Sequence, residues 1–271
     1  MGSTMRIVFV ALALAVASVS AEADRRRAVR RIGPPVWTPA IGTTWQIQFD
    51  GPLDLSVDAA MYEIDGLDSD AATVAALHAA GRKVVCYLNA GAWEEWRDDA
   101  ALFPPSVIGN NYSGWPGERW LDIRQIDLLA PLLRARLDRC AAKGFDAVDP
   151  DNLDGYANDT GFPLTADDQL KFNRFLADEA HRRRLSIALK NDFAQAAELA
   201  AHFDFAVAES CFHYGECSLL EPFIRRGKAV FDIEYAETGM TPERFCSAAA
   251  EMKISAILKN RRLDAWRVSC P

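Results

Sequence analysis

The sequence predicts an α/β fold, a single (β/α)8 barrel of the TIM type, preceded by a cleavable signal peptide. Short apolar segments typical of buried strands alternate with amphipathic segments typical of helices, and this alternation indicates a parallel sheet. Eight such units fit within about 230 residues, and about 250 residues is typical of one closed barrel. The first strand is followed by Asp50–Leu53, which lacks the glycine-rich phosphate loop that an open, doubly wound sheet often carries.

The predicted elements follow one another from Thr43 onward. The strands are predicted over Thr43–Phe49, Ala59–Ile64, Lys83–Leu88, Phe145–Asp149, Ser186–Leu189, Phe205–Ala208, Ala229–Ile233 and Ser255–Leu258. The helices are predicted over Asp70–Ala80, Leu128–Ala142, Ala166–Arg183, Ala194–Ala201, Leu219–Arg226 and Pro242–Met252. Glycines expected just after helix ends are Gly81, Gly144 and Gly227. The predicted N-caps are Asp168 or Thr165, Ser218 and Thr241.

The N-terminus is typical of a secretory signal. Met5-Arg6 precedes the apolar segment Ile7–Val19, and Ala21–Ala23 fits a small-x-small cleavage site. A membrane anchor or a buried helix is the alternative interpretation. We expect a signal peptide over residues 1–23, a basic and proline-rich tail over 24–40, and the catalytic barrel over 41–271. The protein is therefore expected to be secreted, without stable membrane association.

Charge and cysteine content restrict the partners. The formal net charge of −8 argues against nucleic acid and suits a cationic substrate. An even number of cysteines, six, is consistent with disulfides in an exported protein. Sequence proximity favours Cys211–Cys217 and Cys246–Cys270, leaving Cys86 with Cys140, although other connectivities are open. Cys211, His213 and Cys217 match no common zinc spacing, so we expect no metal and no cofactor.

The segment Gly144–Tyr156 carries the strongest functional signal. Its apolar strand ends in clustered acids and amides: Asp149, Asp151, Asn152 and Asp154. Carboxylates repel each other and are costly to desolvate, so a hydrophobic core does not collect them. The alternative is a turn built on Asp-Pro-Asp-Asn. Because strand C-termini form the active face of such barrels, we expect these residues to line a polar pocket.

Other predicted strands also end in polar residues. Glu209 ends an apolar strand and is either catalytic or paired with Lys190 or Arg262. Lys190 with Asn191 would bind sugar hydroxyls or orient a carboxylate, and a Schiff-base lysine is the rival interpretation. The long connection after the third strand carries four tryptophans that either pack this segment or stack on sugar rings: Trp93, Trp96, Trp115 and Trp120. Asp122 in the same connection is a further candidate pocket acid.

These segments together resemble glycoside hydrolase family 114, the endo-α-1,4-polygalactosaminidases and related barrels. The resemblance rests on Trp45–Gln48, Tyr62–Asp65, Val85–Asn89 with Gly91, Trp120–Asp122, Gly144–Asn152, Leu189–Asn191 and Glu209. It implies a secreted, endo-acting hydrolase of α-1,4-linked galactosamine polymers of the galactosaminogalactan type. It assigns the catalytic acids to Asp151, as nucleophile or cation-stabilising carboxylate, and to Glu209, as general acid/base. Asp149 is assigned to substrate binding, and retention or inversion of the anomeric centre stays open.

The remaining residues predicted to bind substrate lie at the strand ends or in these motifs. They are Asn152, Asp154, Tyr156, Lys190, Asn191, Glu63, Asp65, Tyr87, Asn89, Asp122, Glu234 and Trp45. The expected partner is a cationic, galactosamine-containing polysaccharide, bound by a monomer. Three alternatives remain: a carbohydrate-binding barrel without catalysis, a hydrolase of another α-linked glycan, and an aldolase-type enzyme using Lys190.

Overall fold

The computed structural model describes residues 36–270, and there eight parallel strands and a short antiparallel one form a single curled sheet in the order β1-β2-β3-β7-β8-β9-β10-β11-β12. The strands are β1 Trp45–Gln48, β2 Met61–Asp65, β3 Lys83–Asn89, β7 Ala147–Asp151, β8 Ser186–Lys190, β9 Phe205–Glu209, β10 Val230–Tyr235, β11 Ser255–Lys259 and β12 Val268–Ser269. All eight predicted strands are present, and the predicted (β/α)8 barrel is confirmed.

The helices lie between the parallel strands. They are α1 Ala71–Ala79, α2 Ile126–Lys143, α3 Ala166–Arg182, α4 Ala196–Leu199, α5 Cys211–Tyr214, α6 Glu221–Arg225 and α7 Pro242–Met252. The predicted helices Ala194–Ala201 and Leu219–Arg226 are shorter than expected, since each begins with a 3-10 turn, Phe193–Gln195 and Cys217–Leu220 respectively. Thr165 and Asp168 form a capping box at the start of α3. Ser218 lies inside a 3-10 turn, so the prediction that it caps a helix is wrong.

The strand side chains divide between two apolar clusters. One lies inside the barrel and is built from strand residues such as Met61, Val85 and Phe231. The other contains alternate strand residues, such as Val148 and Leu189, together with the inward faces of the helices. Because successive side chains of a strand point to opposite faces, a residue's position along its strand decides whether it reaches the barrel interior.

The segment 263–269 lies between β11 and β1. Its strand β12 pairs with β11 in antiparallel orientation. On the other side, Phe49 N–H donates to the Leu263 carbonyl at 2.8 Å, and Gln46 Nε2 donates to the Ala265 carbonyl at 2.9 Å. This segment therefore joins the two outer strands of the parallel set and completes the barrel.

The connection between β3 and α2 contains a second sheet, which the sequence did not predict. Its three strands, β4 Ala92–Glu94, β5 Ile108–Asn111 and β6 Glu118–Leu121, are antiparallel in the order β4-β6-β5. We call residues 92–121 the rim sheet. Arg97 fixes it to the barrel, because its guanidinium contacts Glu94 and also both carboxylate oxygens of Asp65 at 3.1 and 2.7 Å.

The three predicted disulfides are all present: Cys86–Cys140, Cys211–Cys217 and Cys246–Cys270. The predicted signal peptide and most of the predicted basic tail lie outside the described residues. Within residues 36–270, no helix is long and apolar enough to cross a membrane.

Candidate active site

Alternation along the strands brings the predicted acids to one place. In β7, Ala147 faces the barrel interior, so Asp149 and Asp151 face it as well. The same rule places Lys190 at the inner end of β8, beyond Ala188, and Glu209 at the inner end of β9, beyond Val207. All of these residues lie at the carboxyl ends of parallel strands, the end of a barrel that carries active sites.

Asp151 is held by donors on both of its oxygens. Tyr87 OH donates to Oδ2 at 2.8 Å, and the Asn152 backbone N–H donates to Oδ1 at 2.8 Å. Lys190 Nζ lies 3.8 Å from Oδ1. These contacts fix the orientation of the carboxylate and match its negative charge.

Glu209 is positioned by two different side chains. Tyr235 OH donates to Oε1 in a short hydrogen bond, and Asn191 Nδ2 lies 3.4 Å from Oε2. Asn191 also accepts the Glu209 backbone N–H through Oδ1 at 2.9 Å. Burial and the negative charge of Glu209 raise the pKa of Tyr235 well above its usual value, so the phenol stays a donor at neutral pH.

A buried ionic cluster lies beneath these two carboxylates. Lys190 is 2% exposed, and its Nζ lies 3.1 Å from Asp149 Oδ2. Burial lowers the pKa of Lys190, but the charges of Asp149, Asp151, Glu209 and Glu63 outweigh it and raise that pKa well above its usual value. Lys190 therefore carries a positive charge at neutral pH, which opposes the Schiff-base interpretation.

Two acids in this cluster have raised pKa values. Burial raises the pKa of Asp149 to about 6, although Lys190 acts against it. Burial, and then the charge of Asp149, raise the pKa of Glu63 well above its usual value. The two carboxyl groups lie within hydrogen-bond reach of each other, so a protonated Glu63 donates a hydrogen bond to Asp149. At neutral pH Glu63 therefore favours its protonated form, whereas Asp149 is mostly ionised beside Lys190.

A chain of amides connects the site to the rim sheet. Asn152 Nδ2 donates to Asn89 Oδ1 at 3.1 Å, and Asn89 Nδ2 donates to Glu118 Oε2 at 3.1 Å. Asn152 has a φ of 62°, and a Cβ on Gly91 would lie 1.8 Å from the Asn152 carbonyl oxygen. The close approach of these two loops therefore requires glycine at position 91.

The loops after β7 and β8 form a further acidic group. Burial and the charge of Asp151 raise the pKa of Asp154 to about 6. Burial and the charge of Asp154 raise the pKa of Asp192 to about 8, against hydrogen bonds from Tyr156 and Asn173. Asp154, predicted to bind substrate, thus lies within electrostatic reach of both catalytic candidates, and Tyr156, also predicted to bind substrate, lies within reach of Asp154 and Asp192.

Three predicted site residues have other partners. Trp45 is the first residue of β1, is 1% exposed, and donates from Nε1 to the Ser255 carbonyl at the opposite end of the barrel, so it does not reach the site. Asp65 is bound by Arg97, as described above. Asp122 accepts hydrogen bonds from Nε and Nη2 of Arg124 at 2.7 and 2.8 Å. The predictions of substrate contact for Trp45, Asp65 and Asp122 are therefore not supported.

Glu234 faces away from the site. In β10 the inward residues are Phe231, Ile233 and Tyr235, so Glu234 points outward, and its Oε1 accepts the backbone N–H of Phe212 at 2.8 Å. The prediction that Glu234 binds substrate is corrected by this orientation. Its neighbour Tyr235, a polar residue at the end of the same predicted strand to which no role was assigned, occupies the inward position instead.

Glu118, Tyr112 and Asp192 are not among the predicted site residues. Burial, followed by the charges of Glu94 and Asp151, raises the pKa of Glu118 to about 8. Burial and the charges of Asp151 and Glu209 raise the pKa of Tyr112. Glu118 and Tyr112 lie on the rim sheet, whose strands are short and carried no strong periodic signal. Asp192 directly follows the predicted Lys190-Asn191 pair.

One group of metal-ligand residue types occurs in the described part of the chain, namely Cys211, Cys217 and Asp232. The two cysteines form a disulfide with each other, so neither sulfur offers the thiolate that metal binding needs.

The arrangement supplies two oriented carboxylates, Asp151 and Glu209, on nearby strands at one barrel mouth. The charges of both raise the pKa of Lys190, which places them within electrostatic reach of the same ammonium. A pair of carboxylates on either side of a bond is the group that glycoside hydrolysis needs.

Comparisons with known proteins agree with this chemistry. The sequence profile of glycoside-hydrolase family GH114 matches residues 26–271. The crystal structure of Aspergillus fumigatus Ega3 in complex with galactosamine is similar, with a TM-score of 0.82 and 39% identity, covering 89% of this chain and 100% of that one. An uncharacterized protein of Deinococcus radiodurans is 28% identical over 278 residues, covering 88% of this chain and 87% of its own length. The glycoside hydrolase domain of PelA from Pseudomonas aeruginosa shares the fold, with a TM-score of 0.65 and 15% identity. The match covers 83% of this chain and 98% of that one.

Proposed function

Because this chain belongs to glycoside-hydrolase family GH114, we propose that it is an endo-acting hydrolase of α-1,4-linked galactosamine polymers. The chain is a glycoside hydrolase by this membership. The observation that carries the finer proposal is the pair of inward carboxylates, Asp151 and Glu209, each oriented by its own tyrosine. The 39% identity with Ega3, whose structure contains galactosamine, supports an amino sugar as the unit recognised.

Asp151 acts as the nucleophile or as the carboxylate that stabilises the developing cation. The hydrogen bond from Tyr87 and the ammonium of Lys190 support this role, since both hold the carboxylate in one orientation. Glu209 acts as the general acid/base, which transfers a proton to the leaving oxygen. Among residues 36–270 no ion pair involves Glu209, whereas the Lys190 ammonium lies 3.8 Å from Asp151.

Acidic side chains around the mouth suit a cationic polymer. Asp154 and Glu118 lie within electrostatic reach of Asp151. Asp154, with a pKa of about 6, is mostly ionised at neutral pH, whereas Glu118, with a pKa of about 8, adds negative charge only at higher pH. An ammonium-bearing substrate would be attracted to this mouth, and the attraction would weaken as salt screens it. Hydrolysis of the charged polymer is therefore expected to fall with added sodium chloride, and a salt-independent KM would contradict the charge-based part of the proposal.

The enzyme is proposed to work outside the cytoplasm. The three disulfides of the described residues support this location, since such bonds persist in oxidising compartments. The predicted signal peptide over residues 1–23 would direct the export.

The experiment compares product release from de-N-acetylated and fully N-acetylated α-1,4-galactosaminan. Wild type is measured beside Asp151→Asn and Glu209→Gln, which preserve side-chain volume. Short oligomers from the cationic polymer, lost in both variants, are the expected result. Glu243→Gln, an exposed acid in the first turn of α7, is the matched control and should behave as wild type.

Other outcomes would redirect the proposal. Binding without product release in every protein would favour a carbohydrate-binding barrel. Activity that survives in Asp151→Asn but not in Asp149→Asn would transfer the nucleophile to Asp149. Release from the N-acetylated polymer alone would replace galactosamine by its acetylated form as the substrate.

A further inference from the structure

A groove of about 550 Å³ lies on the rim sheet, and neither Asp151 nor Glu209 lines it. Its walls come from β4, β5, β6 and the turn that joins β5 to β6. Small-molecule sites are usually clefts of roughly 300–1,000 Å³ lined by aromatic residues with a few polar groups, and this groove fits both criteria. The residues that line the groove include Glu95, Asn111, Tyr112, Trp115, Gly117 and Arg119.

An exposed indole forms one wall of the groove. Trp115 is 40% exposed, and the guanidinium of Arg261, which follows β11, lies 5.8 Å from its ring centroid. A cation placed against the ring restricts its rotation, so the indole is held in place before any ligand arrives. Trp115 is therefore both accessible and oriented, as a stacking platform for a sugar ring should be.

Gly117 lies in the part of the groove where Glu95 and Trp96 approach the backbone closely. A Cβ on Gly117 would lie 2.9 Å from Glu95 Oε1 and 2.9 Å from Trp96 Cζ3. Trp96 is 53% exposed. The missing side chain at position 117 thus lets a carboxylate and a second exposed indole approach the turn closely.

Polar groups of both charges face this space. Glu95 supplies an exposed carboxylate for an ammonium group. Arg119 donates from Nε to the Gly109 carbonyl at 2.8 Å, and its remaining N–H groups are donors for a hydroxyl or an acetamido oxygen. Together with Asn111, these groups match the mixture of amine, hydroxyl and amide that a hexosamine chain presents.

Tyr112 connects the groove with the catalytic mouth. It lines the groove, its backbone N–H donates to the Glu118 carbonyl at 2.9 Å, and its ring lies 4.7 Å from that of Trp120. The side chain of Glu118 is bound by Asn89, which is bonded in turn to Asn152 beside Asp151. The charges of Asp151 and Glu209 also act on the Tyr112 phenol.

We propose that this groove is a distal subsite that binds hexosamine units of the polymer beyond those at the two catalytic carboxylates. The apolar face of one unit stacks on Trp115, and Glu95 pairs with an ammonium group. The inference rests on the proposed function for the identity of the glycan. It adds a reason for long chains to be preferred over short ones, since only a long chain reaches both places.

The test uses Trp115→Ala and Glu95→Gln, with Trp266→Ala as the matched control. Trp266 is another exposed tryptophan, 45% accessible, and it does not line the groove. Each protein is assayed on the galactosamine polymer and on the shortest oligomer that wild type cleaves. Binding of the uncleaved polymer is measured separately by affinity electrophoresis, with Asp151→Asn as the background.

The expected result is a rise of about tenfold in KM for the polymer in Trp115→Ala, the size typical of losing one aromatic contact residue. Activity on the short oligomer should be unchanged, and Glu95→Gln should show a smaller rise. Equal loss on both substrates, or no change on either, would overturn the subsite. Polymer binding that depends on Trp115 in a protein that releases no products would support the subsite while contradicting the proposed hydrolysis.

Discussion

Two pairs of acids, with the same spacing on two strands of one barrel, have opposite surroundings. Asp149 and Asp151 lie two residues apart on β7, and Asp232 and Glu234 lie two residues apart on β10. The first pair faces the barrel interior, where the Lys190 ammonium contacts both members. The second pair faces the helical layer and contacts the backbone N–H groups of Cys211, Phe212 and His213.

The difference lies in the counter-charge. Lys190 compensates the inner pair. The outer pair has no ion pair among the described residues: its members accept backbone N–H groups and share a hydrogen bond, and the charge of His213 has a minor effect on Glu234. Burial followed by the charge of Glu234 raises the pKa of Asp232 well above its usual value. A pair of acids at a strand end is therefore not sufficient to identify a catalytic site. The two pairs differ in the face of the strand on which their side chains lie, and in whether a buried cation contacts them.

The largest expected effect is on kcat, and it should differ between a variant of the inner pair and a variant of the outer pair. Asp151→Asn is expected to lower kcat by about 10³-fold or more, because it removes a carboxylate from the reacting centre. Glu234→Gln should leave kcat within about twofold, because its side chain is outside the barrel interior. Initial rates on the polymer measure both, and a Glu234→Gln variant as inactive as Asp151→Asn would remove the distinction.

The next effect concerns the cation of the inner pair. Lys190→Met is expected to lower the free energy of unfolding by about 3 kcal/mol or more, since it leaves buried acids without their partner. Urea denaturation measures this change. Lys83→Met is the matched control, because Lys83 pairs with Asp146 at 2.6 Å but has a side chain that is 42% exposed, and it should cost less than about 1 kcal/mol.

A smaller effect on kcat is expected at Tyr235, the residue that follows Glu234 in β10. Tyr235→Phe removes the hydroxyl that donates to Glu209, and a hydrogen bond to a charged group is worth about 1.5–3 kcal/mol, so kcat should fall by about tenfold to a hundredfold. The pH profile of kcat should shift as well, because Glu209 loses a donor. A change in stability without any change in kcat or its pH profile would make Tyr235 purely structural.

The smallest effect is the pH dependence of the outer pair. The pKa of Asp232 is raised in the folded protein, so its contribution to stability is fully present below the unfolded-state pKa and is lost as pH rises through the folded-state value. The Tm of wild type should therefore fall between pH 5 and pH 8 because of this group. In Asp232→Asn this fall in Tm should be smaller by a few degrees. The exposed acid variant Glu251→Gln should leave the pH dependence unchanged, and an equal shift in both would contradict this account.

Much of the fold could be predicted because the relevant signals are local. The eight apolar segments and the long amphipathic helices α2, α3 and α7 have the periodicity of their structures. The rim sheet could not be predicted, since its strands are three or four residues long and are stabilised by contacts such as Arg97 with Asp65. The strand β12, two residues long, is likewise defined by its position beside β11.

Polar strand ends predicted that Asp151, Lys190 and Glu209 lie at one barrel mouth, and their roles stay predictions. Other predicted site residues lie elsewhere because direction or pairing decides their position. Glu234 has the same residue type and strand position as a site residue, yet it points outward by one step of alternation. Trp45 belongs to a family motif, but it lies at the opposite end of its strand.

The seam between β11 and β1 has a consequence for the order of events during synthesis. Gln46 and Ala265, which hydrogen-bond across it, stand 219 residues apart in the chain. A nascent polypeptide therefore carries β1 with one edge unpaired until residues 263–269 have emerged, and such an edge is open to wrong partners. Contacts between such distant residues also slow folding. The barrel can therefore be completed only after residues 263–269 have been translated.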